Sequence, residues 1–221
     1  MPHSMHKGKT EKTEELRRRI MDASVELFLE NGYDKTTTRQ ILQKAGILNG
    51  SLYNIYHNKE EIFADIIIEA LMESVTTAEK YVLKPSLQSI IGFPVALQLY
   101  ASYRSPRIAE LLTVGYHRWD LKDRVCDFIM DWISERDVDG ILDVKADDFR
   151  IKVHLCIGAV GNMIEAVYKG QATVSEENLL SIVAKMMMDV FDIRTDNSEG
   201  EILEMYRAVG REDIVICGLH L

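Results

Sequence analysis

Apolar residues recur along this chain at intervals of three and four, as on one face of an α-helix, and the alternation typical of strands is nearly absent. The first apolar stripe begins after about Glu14 and stops at Asn31-Gly32, where glycine can adopt the left-handed conformation that caps a helix. Residues 1–13 show no apolar period and are expected to form a flexible N-terminal arm. The stripe consists of Leu16, Ile20, Ala23, Leu27 and Phe28.

Two short helices are predicted next. Thr37, followed three residues later by a glutamine, has the sequence of a capping box. In this motif the side chain of each residue accepts a hydrogen bond from the backbone N–H of the other. This predicts a helix over residues 38–45, with Gly46 reversing the chain direction at its end. Asn49 can then cap a third short helix, which is predicted to reach about Tyr56.

A longer fourth helix is predicted to start at Asn58, which forms a capping pair with Glu61, and to end near Leu83, because Pro85 forbids a regular helix interior. The structure of residues 196–221, which include a β-prone run, is left open. The pattern predicts an all-α fold. Further helical segments lie near 87–103, 106–117, 119–136, 146–169 and 175–192.

Composition excludes several classes of protein. The 221 residues are 47% hydrophobic and 28% charged, which is typical of a globular chain and not of a disordered or fibrous one. The apolar runs are shorter than the roughly 20 residues that a membrane-spanning helix needs, and the N-terminus lacks the apolar core of a secretory signal. We therefore expect a cytoplasmic protein with no membrane partner. Cys126, Cys156 and Cys217 lack a CxxC spacing and are expected to be reduced packing residues.

Charge divides the chain into a basic beginning and an acidic remainder. Residues 1–59 contain ten Lys or Arg against seven Asp or Glu, although the whole chain has a net charge of -9. Attraction to phosphate depends on which face presents the cations, so overall acidity does not exclude DNA binding. The acidic remainder favours a cationic or neutral small ligand over an anionic one.

The two short helices around Gly46, with a third helix beside them, form a helix-turn-helix, whose second helix can lie in the DNA major groove. The string GSLYNIYHNKE at 50–60, placed after TTTRQI at 36–41, sharpens this interpretation. These residues resemble the TetR family of transcriptional regulators. The resemblance covers about residues 14–63 and is most specific from Thr37 to Tyr56.

The resemblance implies a three-helix DNA-binding domain at 14–58 and a helical-bundle ligand-binding and dimerisation domain at 59–221. It implies a ligand-responsive repressor that binds a palindromic operator as a homodimer, with no enzymatic activity and no cofactor. An effector in the second domain would favour a dimer whose recognition helices have the wrong separation. Two alternatives stay open: a helical-bundle small-molecule enzyme or carrier with a vestigial helix-turn-helix, and a pure interaction module.

Candidate DNA contacts lie at the starts of the short helices. Short polar side chains at the front of the third helix can reach base edges, and those at the start of the second can meet phosphate. The resemblance implies phosphate contacts from Tyr53 and Lys59, whereas Ile55 stands where many relatives have a histidine. The candidates are Thr37, Thr38, Arg39, Asn49, Gly50, Ser51, Tyr53, Asn54, His57 and Lys59.

Candidate effector contacts lie in the middle helices, where aromatic rings with polar tips are concentrated. Such rings suit a ligand pocket and suit a packed core equally well. A small, partly aromatic effector is expected here. No metal site is expected, because the His and Cys spacings match no known type of site. The candidate ligand contacts are Tyr100, Tyr103, Tyr116, His117, Trp119 and His154.

The helices near 146–169 and 175–192 are expected to form a two-fold, four-helix dimer interface. Small residues, Gly158, Ala159 and Gly161, permit close helix approach. The alternative is that these helices pack only within the chain. The apolar side chains expected at the interface are Ile157, Val160, Ile164, Leu179, Ile182, Val183 and Met186.

Overall fold

The computed structural model describes residues 3–52, 54–81, 87–135, 147–193, 198–209, 215–216 and 219–220. The predicted all-α fold class is confirmed. The helices are α1 His3–Asn31, α2 Thr38–Ala45, α3 Asn49–Leu52, α4 Lys59–Tyr81, α5 Leu87–Arg104, α6 Pro106–His117, α7 Trp119–Ser134, α8 Phe149–Tyr168, α9 Glu176–Val190 and α10 Ser198–Val209. Two short strands, β1 Val215–Ile216 and β2 Leu219–His220, form an antiparallel pair.

Two compact units divide the chain, Met1–Ile67 and Ile68–Leu221. The first unit extends past residue 58, where the sequence places the end of the helix-turn-helix domain. It does so because Ile62, Phe63 and Ile66 of α4 are buried. The residues of α4 after Ile67 belong to the second unit.

Aromatic rings fill the centre of the first unit. The ring centroids of Phe28 and Phe63 lie 5.6 Å apart in an edge-on arrangement, and those of Tyr33 and Phe63 lie 4.6 Å apart. Tyr56 is 3% exposed and belongs to the same core. Its hydroxyl donates to Asp65 Oδ2 at 3.0 Å. Each fully buried large apolar side chain contributes about 1.5–3 kcal/mol, so these rings hold the short helices in place.

Two boundaries in the first unit differ from the sequence prediction. α1 begins at His3 and not near Glu14, so the segment predicted as an arm is helical from His3. α3 ends at Leu52, before the predicted end at Tyr56. The backbone N–H groups of Ile55 and Tyr56 both donate to the carbonyl of Leu52, which closes a turn there.

α8 lies at the centre of the second unit. It contacts α5, α6, α7 and α9. Gly161 allows α6 to approach closely, because a Cβ at this position would lie 2.7 Å from Tyr116 Cβ. The face of α8 that carries Val153, Val160 and Ile164 is at most 3% exposed at these residues.

α10 falls in the segment whose structure the sequence left open. It packs on α5 and α9, and Gly92 of α5 allows the contact, since a Cβ there would lie 2.7 Å from Ile202 Cδ1. Arg207 donates two hydrogen bonds to the carboxylate of Glu177, at 2.9 and 2.8 Å. Among the described side chains of α10, Ile202 and Tyr206 are buried, and they lie one turn apart on the helix.

α8 also corrects an expectation about membranes. Among the described residues it is long and apolar enough to cross a membrane by length and composition alone, whereas the sequence predicts no such helix. The core helix of a soluble protein passes the same test. α8 carries the charged residues Arg150, Lys152 and Glu165, and its buried face packs within the second unit.

Part of the predicted dimer face is buried within the chain. Ile157, Val160, Ile164 and Val183 are at most 6% exposed and pack inside the unit. Their burial follows from the position of α8 between other helices. Ile182 of the predicted face is 58% exposed, and α8 also exposes Ile151, Leu155 and Tyr168, at 62%, 58% and 43%.

Candidate functional site

The start of α2 is fixed by the predicted capping box. Thr37 Oγ1 accepts from the Gln40 N–H at 3.3 Å, and Gln40 Oε1 accepts from the Thr37 N–H at 2.8 Å. Thr38 is half-buried in the first turn, and Arg39 beside it is exposed. Free N–H groups and the positive end of the helix dipole make such a terminus attractive to anions.

The turn between α2 and α3 exposes the front of α3. Gly46 has a φ of 66°, as predicted for the end of α2, and Leu52 is fully buried and anchors α3. Gly50 and Asn54 are exposed. A Cβ at Gly50 would meet nothing within 4 Å, so the fold does not require glycine there. The side chains of Asn49 and Ser51, and the whole of Tyr53, lie outside the described residues.

Lys59 connects the start of α4 to the loop before α2. Its Nζ donates to the carbonyls of Tyr33 and Thr36, at 2.8 and 3.0 Å, and lies 4.1 Å from the centroid of the Tyr33 ring. An ammonium group has three N–H donors, so one remains available for a phosphate. The positive charge of Lys59 therefore lies beside the loop that leads into Thr37.

His57 and Asn58 organise the first turn of α4. Asn58 Oδ1 accepts from the Glu61 N–H at 2.8 Å, which forms the predicted cap. Glu61 Oε2 accepts from the His57 N–H at 2.8 Å and lies 3.2 Å from His57 Nδ1. The hydrogen bond from the His57 backbone N–H is the main reason why the pKa of Glu61 is lowered, and the His57 side chain lowers it further. The His57 side chain is 79% exposed beside this carboxylate.

The cations of the first unit fall into two groups. One group has partners inside the chain: Arg17 pairs with Asp65 and Arg18 with Asp22, at 3.1 Å each. Arg19 donates to the carbonyl of Ala45 at 2.6 Å and so caps the end of α2. Among the described side chains of this unit, the cations with no hydrogen bond or ion pair are Lys12, Lys35 and Arg39.

Two residues near this surface are absent from the sequence-based candidates. Lys35 is an exposed cation that lies two residues before Thr37. Leu48 is 82% exposed directly before α3. Their signals in the sequence are weak, because a single lysine in a turn and a single leucine before a helix occur in many surface loops. Together with Arg39 and Asn54 they give a surface with free cations, polar tips and one apolar tip.

Comparison with known proteins agrees with this geometry. The family model described as bacterial regulatory proteins of the tetR family matches residues 20–66. The fatty acid metabolism regulator protein of Bacillus subtilis is 25% identical over 150 residues, which are 66% of this chain and 75% of the relative. Residues 20–66 carry the N-terminal domain of the TetR family of transcriptional regulators.

Two further comparisons cover different lengths of the chain, one a short segment and the other nearly the whole fold. The HTH-type transcriptional repressor KstR2 of Rhodococcus jostii is 41% identical over 51 residues, 23% of this chain and 25% of that repressor. The crystal structure of TylP, a TetR regulator from Streptomyces fradiae, matches with a TM-score of 0.58 at 17% identity. That match covers 89% of this chain and 95% of TylP. It shows that the TetR fold extends over both units, and says nothing of the ligand.

The second unit contains an apolar cavity of about 710 Å³, measured with its opening. Side chains from α4 to α9 line it. Of the predicted ligand contacts with described side chains, Tyr116 alone lines it, and its hydroxyl donates to Gln98 Oε1 at 2.6 Å. Burial raises the pKa of Tyr116, so this hydroxyl stays protonated at neutral pH.

The other predicted ligand contacts lie elsewhere in the second unit. Arg104 stacks on the ring of Tyr100 at 3.4 Å, and the buried Tyr103 hydroxyl has no hydrogen-bond partner among the described residues. His117 Nε2 lies 3.2 Å from Glu165, and His154 Nε2 lies 3.5 Å from Asp123. The Trp119 side chain is outside the described residues.

Cysteine and histidine form no metal cluster in the part of the chain that the structure describes. Cys126 and Cys156 are buried and free of disulfides. Burial raises the pKa of Cys156 to about 12, so it carries an uncharged thiol at neutral pH. Cys217 lies outside the described residues.

Proposed function

We propose that the chain is a ligand-responsive repressor that binds a palindromic operator as a homodimer. The observation that carries this proposal is the surface of α2 and α3, where exposed polar side chains stand beside cations with no partner in the described chain. The names of the fatty acid metabolism regulator and of the repressor KstR2 support regulation and repression. DNA in the cytoplasm is the partner that this surface suits.

The DNA-facing residues divide into those that bind phosphate and those that read bases. Lys35, Arg39 and the start of α2 suit phosphate, because cations and free N–H groups attract it without regard to sequence. Asn54 suits a base edge, since an amide can donate and accept at adenine. Leu48 suits the methyl group of thymine, which is the apolar feature of the major groove. Thr37, Thr38 and His57 remain proposed contacts of the same surface.

Exposed apolar residues on α8 and α9 support the homodimer. Ile151 and Leu155 lie one turn apart on α8, and Ile182 lies on α9, which contacts α8. A Cβ at Gly158 would meet nothing within 4 Å, so a neighbouring helix has room to approach there. Large apolar side chains at this exposure mark protein–protein contacts when they cluster. A second copy of the chain is the partner, because a palindromic operator presents two equivalent half-sites.

A helical-bundle enzyme or carrier is less well supported. The cavity in the second unit could hold a small molecule in either case. Among the described residues that line it, however, no acid, base or nucleophile has a charged partner, so these residues support binding and not chemistry.

The test of DNA binding compares two arginine variants of the purified chain. Arg39→Ala removes a cation with no partner, whereas Arg18→Ala removes one that is paired with Asp22. We expect Arg39→Ala to weaken binding to all duplexes by about fivefold to tenfold and to reduce the slope of log affinity against log salt by about one. Arg18→Ala should leave both unchanged. Equal behaviour of the two variants would contradict the proposed DNA surface.

A further inference from the structure

The cavity of the second unit has an uncharged wall. None of the described residues that line it is Asp, Glu, Lys, Arg or His. Aliphatic and aromatic side chains make up nearly all of the lining, among them Phe128, Ile129 and Trp132. Tyr116 and Cys156 are titratable, but burial raises the pKa of each, so both are neutral at pH 7. A charged group placed in this cavity would lose its hydration without gaining a counter-charge, which is strongly unfavourable.

Several carboxylates of the second unit pair with arginines away from the cavity. Glu176 accepts from Arg104, Glu177 from Arg207, and Asp127 from Arg150. The net negative charge of this unit therefore does not indicate the charge at the cavity where a ligand would lie. The composition favours a cationic or neutral ligand, and of these the described cavity wall suits only the neutral one.

The side-chain amide of Gln98 is a polar group in the cavity wall. Its amide oxygen accepts from Tyr116 at 2.6 Å, while its amide nitrogen donates to no other residue that the structure describes. That nitrogen can donate to an oxygen of a ligand. An uncharged wall with few hydrogen-bonding groups suits a ligand with one acceptor oxygen on an apolar body.

We propose that this cavity binds a neutral apolar molecule that carries a single hydrogen-bonding oxygen, the chemistry of a medium-chain alcohol or ester. Its apolar body contacts the wall around Ile129 and Trp132, and its oxygen accepts from Gln98. The inference rests on the proposed function in one respect, namely that the bound molecule acts as the effector. The chemistry of binding itself depends only on the cavity.

The first experiment uses three probes that share a decyl chain and differ in charge. Decanol, decanoate and decyltrimethylammonium are each titrated calorimetrically into the purified full-length chain at pH 7.5, below the concentrations at which they aggregate. We expect decanol to bind at least about tenfold more tightly than either ion. Equal or tighter binding of decanoate or of the ammonium probe, or no binding of decanol, overturns the inference.

The second experiment changes the cavity. Gln98→Leu should weaken decanol binding by about fivefold to tenfold, because it removes the donor. Gln171→Leu is the matched control, since Gln171 is exposed and outside the cavity lining. Ile129→Trp fills the space and should abolish binding, which keeps the test available if Gln98→Leu fails to fold. Unchanged affinity in a variant that melts cooperatively overturns the assignment.

The failure of this inference can be told from failure of the proposed function. Probe binding is measured without DNA, and DNA retention is measured without probe. A chain that retains specific DNA but prefers a charged probe contradicts the cavity assignment alone. A chain that binds decanol through Gln98 but retains no DNA supports the cavity assignment and contradicts the repressor.

Discussion

The two units place their polar groups in opposite ways. In the first unit, the surface around α2 and α3 exposes Arg39 and Asn54 with no partner in the described chain. In the second unit, the cavity wall is apolar and one of its polar side chains, Tyr116, already donates to Gln98. A surface with unpaired cations attracts a polyanion, whereas an uncharged wall excludes ions. We therefore propose a nucleic acid as the partner of one unit and a neutral molecule as the ligand of the other.

The largest expected effect comes from the exposed apolar residues of α8 and α9. Leu155→Glu combined with Ile182→Glu should convert the dimer to a monomer, because two carboxylates would have to be desolvated at the interface. Each half-site would then be bound separately, so operator affinity should fall on the order of 100-fold or more. Sedimentation measures the state of association, and a binding titration measures the affinity.

The control for the dimer is Met72→Glu, which alters an exposed apolar residue on α4. It should change neither association nor operator binding. A double variant that sediments like the unaltered chain would show that the helices pack only within the chain.

A smaller effect is expected at Lys59, where the DNA surface depends on an internal contact. Lys59→Met removes the donor to the carbonyls of Tyr33 and Thr36. It should lower the free energy of unfolding by about 1–3 kcal/mol, because hydrogen bonds from a charged donor are among the stronger ones. Urea denaturation measures this change. Lys35→Met is the control and should stay within about 0.5 kcal/mol of the unaltered chain.

The same lysine variant sharpens the distinction between structural and DNA-binding roles. If Lys59 acted only on phosphate, the variant would lose DNA affinity at full stability. That result would contradict the account of the loop before α2.

The smallest effect is expected at Glu61, whose pKa is lowered chiefly by the backbone N–H of His57. A carboxylate with a lowered folded-state pKa stabilises the fold above its unfolded-state pKa of about 4.3, and this contribution is lost as the pH falls through the folded-state value. Glu61→Gln should therefore melt at a slightly lower temperature at pH 7 and at the same temperature as the unaltered chain at pH 3. Glu15→Gln, at an exposed residue without a partner, should show no difference at either pH.

Sequence predicts the first unit well because its determinants are local. The capping box of Thr37 and Gln40, the left-handed Gly46 and the cap from Asn58 each depend on residues within four positions. α2 consequently has the predicted bounds of 38–45. The contact of Lys59 with the Tyr33 carbonyl was not foreseen, since it spans 26 positions and depends on how α4 packs.

The cavity could not be predicted in the same way. Its wall combines residues from Leu71 to Phe191, and no local pattern indicates which faces of six helices meet. Tyr100 and Tyr116 are chemically alike in the sequence, yet Tyr116 lines the cavity and Tyr100 packs against Arg104 and Tyr206. Long-range packing also decided which apolar residues of α8 are buried.

The most direct test of the account is the set of sequences that the chain selects from a random duplex library. The account predicts enrichment of a two-fold symmetric motif whose half-sites are about one helical turn, or a multiple of it, apart. The variant Leu48→Ala, Asn54→Ala should select a motif that is altered at a few positions, where each lost contact is worth about 1–3 kcal/mol. Retention of DNA with no enriched motif, or an identical motif from the variant, would contradict the claim that Leu48 and Asn54, on either side of α3, read the operator.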